Sequence, residues 1–260
     1  MLSNIRDHAA RCAALHSVTT PAYAAAALNC ARDDALSELR TAASLGLFRR
    51  LLLPGLGNTP CFQPTAKAGG LDARQAPKFL RAGISESSRW RGLLRGGVVF
   101  MHNPSLVWLT IEATLLLCEQ YAIPSKGHTE PLIARDSSGG YEVYVLVPPE
   151  EAGKSPGAII GNAAARWLPL LEKGATHLHL VTLAGCAAGA LQSALSQFVP
   201  ASHEDAVSEL AQLDARIAAD GTGAMRVQLA HRRAELAAAS AVAPMPAFPW
   251  LSNKVVGVQV

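Results

Sequence analysis

Seven side chains in the first 60 residues have the types and spacing to hold a nucleic-acid duplex: Arg32, Ser37, Arg40, Thr41, Arg49, Arg50 and Asn58. A guanidinium fork pairs with two acceptors on a guanine edge or with a phosphate, and hydroxyl and amide groups reach phosphate oxygens. Arg32 and Arg40 suit guanine edges or phosphates. Ser37 and Thr41 suit phosphates, and Arg49, Arg50 and Asn58 suit the backbone or the minor groove. Charge supports this placement. Residues 1–97 carry 13 Lys/Arg against 6 Asp/Glu, while the remainder carries 10 against 14. The positive potential that a phosphate backbone would feel is therefore concentrated at the N-terminal end, although the whole chain is only +3.

Other chemistry finds less footing. There is no GxGxxG after a strand, no GxxxxGK[ST], no HExxH and no GxSxG. The five cysteines, Cys12, Cys30, Cys61, Cys118 and Cys186, are far apart and never form a CxxC pair, so they read as reduced and mostly buried rather than as a zinc site. His177 and His179 share one face of a predicted strand and could hold a metal together, but such a pair also serves as a packed or surface strand feature. No catalytic residue, metal ligand or cofactor is assigned.

The elements that must position the basic residues lie between residues 5 and 70. Ile5–His16 is Ala-rich and suits a first helix. Ser17-Val18-Thr19-Thr20-Pro21 supplies a hydroxyl N-cap with proline at the first helical position, which starts a short helix over 21–28. Asn29-Cys30-Ala31 is a tight turn. A third helix runs from about Arg32 to Leu45, with Ala35, Leu36, Leu39, Ala42, Ala43 and Leu45 inward, and Gly46 stops it. Asp33 and Asp34 at its start complement the helix dipole. Residues 47–53 and 59–65 flank the turn sequence Pro54-Gly55-Leu56-Gly57-Asn58 and predict a hairpin.

Four passages in order carry a resemblance: Ser17-Val18-Thr19-Thr20, Ala35-Leu36-Ser37-Glu38-Leu39-Arg40, Ser44-Leu45-Gly46-Leu47-Phe48-Arg49-Arg50, and Phe62-Gln63-Pro64-Thr65-Ala66-Lys67-Ala68-Gly69. The stretch from Leu15 to Gly70, about a fifth of the chain, resembles a winged helix-turn-helix domain. That resemblance implies a recognition helix over 32–45, a wing over 47–65 and double-stranded DNA as partner. Residues 71–97, with Lys78, Arg81, Arg89, Arg91 and Arg95 broken by Gly83, Gly92, Gly96 and Gly97, read as an irregular or partly helical basic connector. It could extend the phosphate track or simply be solvated.

Residues 98–200 predict a second, α/β domain. Val98–Met101 is a short apolar strand or helix lead, and Ser105–Tyr121 a buried helix. Pro131–Arg135 and Tyr141–Val147 form strands around the turn 136–140. A helix over 158–172, a strand over His177–Leu183 and a helix over 185–198 follow. Behind a winged helix, this order is similar to replication-relaxation or mobilisation-type proteins of plasmids and integrative elements, whose second domain resembles the PD-(D/E)xK nuclease fold. Such a fold would need Glu130 or Asp136, then Glu142, to hold a divalent metal, with a lysine two positions on. Tyr144 stands there instead, and Glu112 or Glu119 reads equally well as a solvated helix charge. The implied domain is a nuclease-like scaffold without catalysis.

Residues 201–260 predict a helical hairpin, 203–219 and 224–239, then an extended Pro-rich segment over 243–250 and a Val-rich edge strand over 254–260. The fold class is thus α/β (α+β): a winged helix-turn-helix over 1–70, a connector over 71–97, an α/β domain over 98–200 and a hairpin with tail over 201–260. The expected function is double-stranded DNA binding by a homodimer. It would serve as a transcriptional regulator or a replication/transfer accessory factor of a mobile element. A metal-dependent nuclease using Glu130, Asp136 and Glu142, and a non-catalytic subunit of a larger protein–nucleic acid assembly, are the alternatives. No apolar run reaches the ~18 residues of a membrane span, and Arg6, Asp7, His8 and Arg11 do not lead into a signal sequence. A cytoplasmic location with no membrane partner is expected.

Overall fold

The computed structural model describes residues 2–103, 106–123, 132–137, 139–152, 155–171, 175–197 and 203–220, with parts of 223–237 and 252–260. Helix α1 (Leu2–Ala14) buries Ile5, His8, Ala9 and Cys12, the i, i+3, i+4, i+7 stripe of an amphipathic helix. His16 turns left-handed (φ 51°) and releases the chain into an extended segment. In it, Thr19 exchanges two backbone hydrogen bonds with Phe62 (2.9 and 2.8 Å). Thr20 then caps α2 (Pro21–Leu28), its hydroxyl accepting from the Tyr23 N–H, with Pro21 at the first helical position where no N–H is needed. Asn29 closes α2 in the left-handed region. Helix α3 (Arg32–Ser44) buries Ala35, Leu39 and Ala42, and Gly46 (φ 74°) ends it. Strands β1 (Phe48–Leu51) and β2 (Cys61–Pro64) pair antiparallel, Phe48 opposite Pro64 and Leu51 opposite Cys61.

Helix α4 (Glu86–Gly97), capped by Ser85, continues as one wide π turn over Val98–His102. It is the most buried helix beside the N-terminal group: Trp90, Leu93, Leu94, Val98, Val99 and Phe100 all lie in one core with α1–α3 and the hairpin. Two glycines make that possible. A Cβ on Gly96 would stand 2.2 Å from the Val18 carbonyl oxygen, and one on Gly97 2.2 Å from the Val258 side chain. Arg95, with no exposed surface, donates to the His16 carbonyl at 3.0 Å. Of the glycines expected to break this region, Gly92, Gly96 and Gly97 instead form the contact face of a helix, while Gly83 (φ 78°) stands in the irregular part before it. Residues 71–85 are the irregular part, including a short 3-10 turn over Lys78–Leu80.

A five-stranded sheet backs this layer. Its order is β3 (Val107–Trp108), β4 (Leu132–Arg135), β5 (Tyr141–Leu146), β6 (Ala175–Leu183), β7 (Val256–Val258). The first three strands run antiparallel, and β5, β6 and β7 run parallel. Alternation along each strand divides the side chains between two cores. Leu132, Tyr144, Leu146, Val181 and Val258 join the core of α1–α4. Ile133, Val143, Leu178 and Leu180 join Leu117, Ile160, Trp167 and Leu170 on the far side. That far side is covered by α5 (Ile111–Gln120), α7 (Pro156–Leu171) and α8 (Cys186–Gln197), with the one-turn α6 (Pro149–Ala152) between β5 and α7. The architecture is mixed α/β, a sheet between two helical layers.

Most expected elements stand within two or three residues of their predicted bounds. The helix expected over 105–121 begins later, because Val107 and Trp108 pair with β4 and Thr110 caps α5, accepting from the Ala113 N–H at 3.2 Å. Val98–Met101 is neither a strand nor a separate lead but the end of α4. Helix α9 (His203–Ala219) meets the partly described second arm of its hairpin through Arg232–Glu209, Arg233–Asp214 and the buried pair Leu213 and Leu236. Residues 243–250 and Glu130 lie outside the described residues. No described helix is long and apolar enough to cross a membrane.

Two outcomes test this packing. Gly96→Ala is expected to lower the unfolding free energy in urea by about 3 kcal/mol, because its methyl group meets a fixed backbone carbonyl. Gly189→Ala, in α8 with open space around the new methyl, should raise it by roughly 0.5–1 kcal/mol. The second outcome concerns pH. His8 is buried with Nε2 3.0 Å from the Thr19 hydroxyl and 3.6 Å from the Cys12 sulfur, and its Nδ1 has no partner among the described residues. Burial first, and the charge of Arg11 second, lower its pKa to about 4. The unfolded chain therefore binds a proton that the folded chain refuses between about pH 6.5 and 4, so stability falls as pH falls through that window. The fall amounts to about 3 kcal/mol. Urea midpoints measured across it should drop more steeply for the native chain than for His8→Gln; parallel slopes would refute this role.

Candidate nucleic-acid interface

Helix α3 presents an open face. Asp33, Ser37, Arg40 and Ser44 recur at i, i+4, i+7 and i+11, with Arg32 and Thr41 on the flanks, and all six are exposed. The opposite face, Ala35, Leu39 and Ala42, is fully buried against α1 and α2, whereas Leu45, expected inward, is exposed because it stands past the last helical turn as the C-cap. The helix is therefore fixed from behind, and its solvent side is not covered by any described part of the chain. Asp33 and Asp34 occupy its first turn, where they complement the helix dipole. At its other end Lys67 donates to the Leu45 carbonyl at 2.8 Å, closing the C-terminus with a positive charge. Two hydroxyls on this face turn back to the helix: Thr41 donates to the Ser37 carbonyl at 3.1 Å, and Ser44 to that of Thr41 at 2.8 Å. Each keeps an oxygen lone pair to accept with, and must release its carbonyl to donate to phosphate.

The hairpin beside α3 separates the two arginines of β1. Arg50 is exposed, and Asn58 sits at the exposed tip beside Gly57, whose φ of 57° the turn requires. Arg49 instead turns inward. Its Nη2 donates to the Leu80 carbonyl at 2.8 Å, and burial lowers its pKa without discharging it. Gln63, paired with Arg49 across the strands, donates to the Phe79 carbonyl and, at 3.3 Å, to that of Arg81. Arg49 and Gln63 together tie the Lys78–Leu80 turn to the hairpin. Sequence reasoning placed Arg49 with the outward set; its inward pairing needs a carbonyl 31 residues away, which no local pattern announces.

Three of the six basic residues of 71–97 are engaged. Arg81 donates to the Ala76 and Arg74 carbonyls, Arg91 forms a two-pronged pair with Glu151 (2.7 and 2.9 Å), and Arg95 is buried. Arg74 and Lys78 are exposed.

A second constellation stands on the sheet. Glu142 lies opposite His177 and Tyr144 opposite His179 on the neighbouring parallel strands β5 and β6. Glu142 Oε1 is 3.3 Å from His177 Nδ1, and Oε2 is 2.6 Å from His179 Nε2. Tyr144 stacks on His179 with ring centres 4.6 Å apart, accepts from the Asn103 amide at 2.9 Å and takes the edge of Trp108. Burial, then the charge of Glu142, push the Tyr144 phenol up to about 12. Asp136, expected as a possible partner of Glu142, accepts from the Gly140 N–H at 2.9 Å and shapes the hairpin turn. The sequence put both histidines on one strand face and Glu142 on another strand; only the register joins them.

The chain matches no protein-family model, no curated protein and no solved structure.

Separate roles for two arginines follow. Arg49→Ala should lower the unfolding free energy by about 1–2 kcal/mol through loss of its charged hydrogen bond, whereas Arg40→Ala should stay within about 0.5 kcal/mol of the native chain. Equal urea midpoints for the two variants would contradict the inward placement of Arg49.

Proposed function

We propose that this protein binds double-stranded DNA as a winged helix-turn-helix, with α3 in the major groove and the tip of the β1–β2 hairpin on the flanking backbone. The observation that carries this reading is the exposed α3 face bearing Arg32, Ser37, Arg40 and Thr41, held by a buried opposite face and set beside Arg50 and Asn58. The order helix, bridged segment, helix, tight turn, helix and hairpin supports it, as does the N-terminal concentration of positive charge. A helix of this width fits the major groove, and residues toward its N-terminus reach base edges. Arg40 is assigned to a guanine edge or phosphate, Arg50 and Asn58 to the backbone or minor groove, and Arg49 to bracing the hairpin. Two chains would read two half-sites. The function is that of a regulator or a replication/transfer accessory factor of a mobile element, with the sheet domain as scaffold.

The test enriches duplexes from a random pool with the full chain, then footprints the winners and titrates them by fluorescence anisotropy, with and without magnesium. A protected site is expected, with affinity falling as salt rises by a slope near −0.9 per phosphate neutralised. Arg40→Ala should weaken binding by about 5–150-fold, the worth of a bidentate arginine contact. Failure to enrich any duplex, or an Arg40→Ala affinity within about twofold of the native chain, would overturn the reading. Magnesium-dependent scission would replace it with the nuclease.

A further inference from the structure

We propose that Glu142, His177 and His179 bind one divalent transition-metal ion, of which zinc is the best match. This site is separate from the DNA-reading face; it shares Glu142 with the magnesium-type carboxylate site that a nuclease would use, but its other two donors are imidazoles. The donor set decides the class of ion. Two imidazole nitrogens and one carboxylate suit zinc, cobalt, nickel or ferrous iron, whereas magnesium and calcium take oxygen ligands.

The geometry is close to a chelate. Among the described residues these three side chains form a group in which one ring nitrogen of each histidine and a Glu142 oxygen all lie within 4.8 Å of one another. In a tetrahedral site with bonds of about 2.0–2.1 Å, donor atoms stand roughly 3.3 Å apart. The Glu142–His177 separation is already 3.3 Å. The 2.6 Å contact of Glu142 with His179 is a hydrogen bond that a small carboxylate rotation opens. An ion between the three replaces the two hydrogen bonds that the histidines make to Glu142, one to each carboxylate oxygen.

The backbone holds the set in place. His177 and His179 are i and i+2 on β6, so both side chains leave the same face, and Glu142 is the cross-strand partner of His177. At Glu142 strand β5 is paired on both sides, with Ala134 on β4 and His177 on β6, which holds the two strands side by side at the cluster. An outer layer orients one ligand: the His179 ring is stacked on Tyr144, and Tyr144 is held by Asn103 and Trp108. Access is also present. The His177 side chain is 52% exposed, against 19% for His179 and 16% for Glu142. Solvent reaches the cluster from the His177 side, and three protein ligands leave a position there for water or an oxyanion.

The test uses the full-length chain, stripped with a chelator and titrated with zinc by calorimetry and with cobalt by visible absorption. One equivalent of zinc should bind, cobalt should give ligand-field bands without thiolate charge-transfer bands, and zinc should raise the melting temperature. Magnesium should do none of these. His177→Gln, at the exposed ligand, should keep the fold and weaken zinc by more than roughly 100-fold, beyond what loss of an outer-layer partner costs. Tyr144→Phe, which keeps the stacked ring, should retain one equivalent. Absence of zinc heat and of cobalt bands in the native chain overturns the proposal, as do thiolate bands or unchanged zinc affinity in His177→Gln. Arg40→Ala should bind zinc as the native chain does, so failure of DNA binding and failure of this site are read separately.

Discussion

The fold depends on how closely α4 approaches the backbone of Val18. Side chains at positions 96 and 97 would hold the helix away from both the 17–20 segment and β7, and the two helical layers could not share the sheet. The approach is reinforced by polar groups: the Val18 N–H donates to the Gly92 carbonyl at 2.8 Å, and Arg95 donates to that of His16. A buried guanidinium facing a carbonyl is costly to desolvate and is tolerated because its direction is fixed. Glycine here gives up helix propensity so that the helix can fit against a backbone.

From that contact the position of α3 follows. The extended segment held by α4 is also bridged to β2 through Thr19 and Phe62, so α2 starts at a fixed place and α3 is braced by α1, α2 and the hairpin. Its outer side remains in water with both signs of charge. Asp33 and Asp34 favour the helix start but repel phosphate, and this leaves Arg32 and Arg40 on the helix, with the hairpin, to make any backbone contact. The proposed reading face is therefore narrow, and Arg40 is its central cation.

The sheet answers to a different constraint. Parallel strands in its centre are covered on both faces, which favours unbroken apolar strands. Glu142, His177 and His179 violate that rule at one end of β5 and β6. They lie where the N-terminal core ends and solvent begins, so their polar groups turn to one another and outward. A local departure from the burial pattern marks a place where the fold accommodates chemistry.

Local signals were enough to locate α2, α3, the hairpin, β5 and α9. A capping hydroxyl followed by Pro21, the left-handed turn at Asn29, Gly46 at the end of α3 and the alternation of His177 to Leu183 each act within a few residues. The exposed set on α3 could be read for the same reason, since one helix period decides it. The tertiary structure alone decided that Gly96 and Gly97 face a neighbour rather than break a helix, and that Arg49 turns to Leu80. It also decided that Glu142 stands beside His177. Each of these depends on which distant backbone comes within a few ångströms, and the strand register across the α6–α7 crossover is set by packing on both sheet faces. Sequence period names the face of a strand but not the strand beside it.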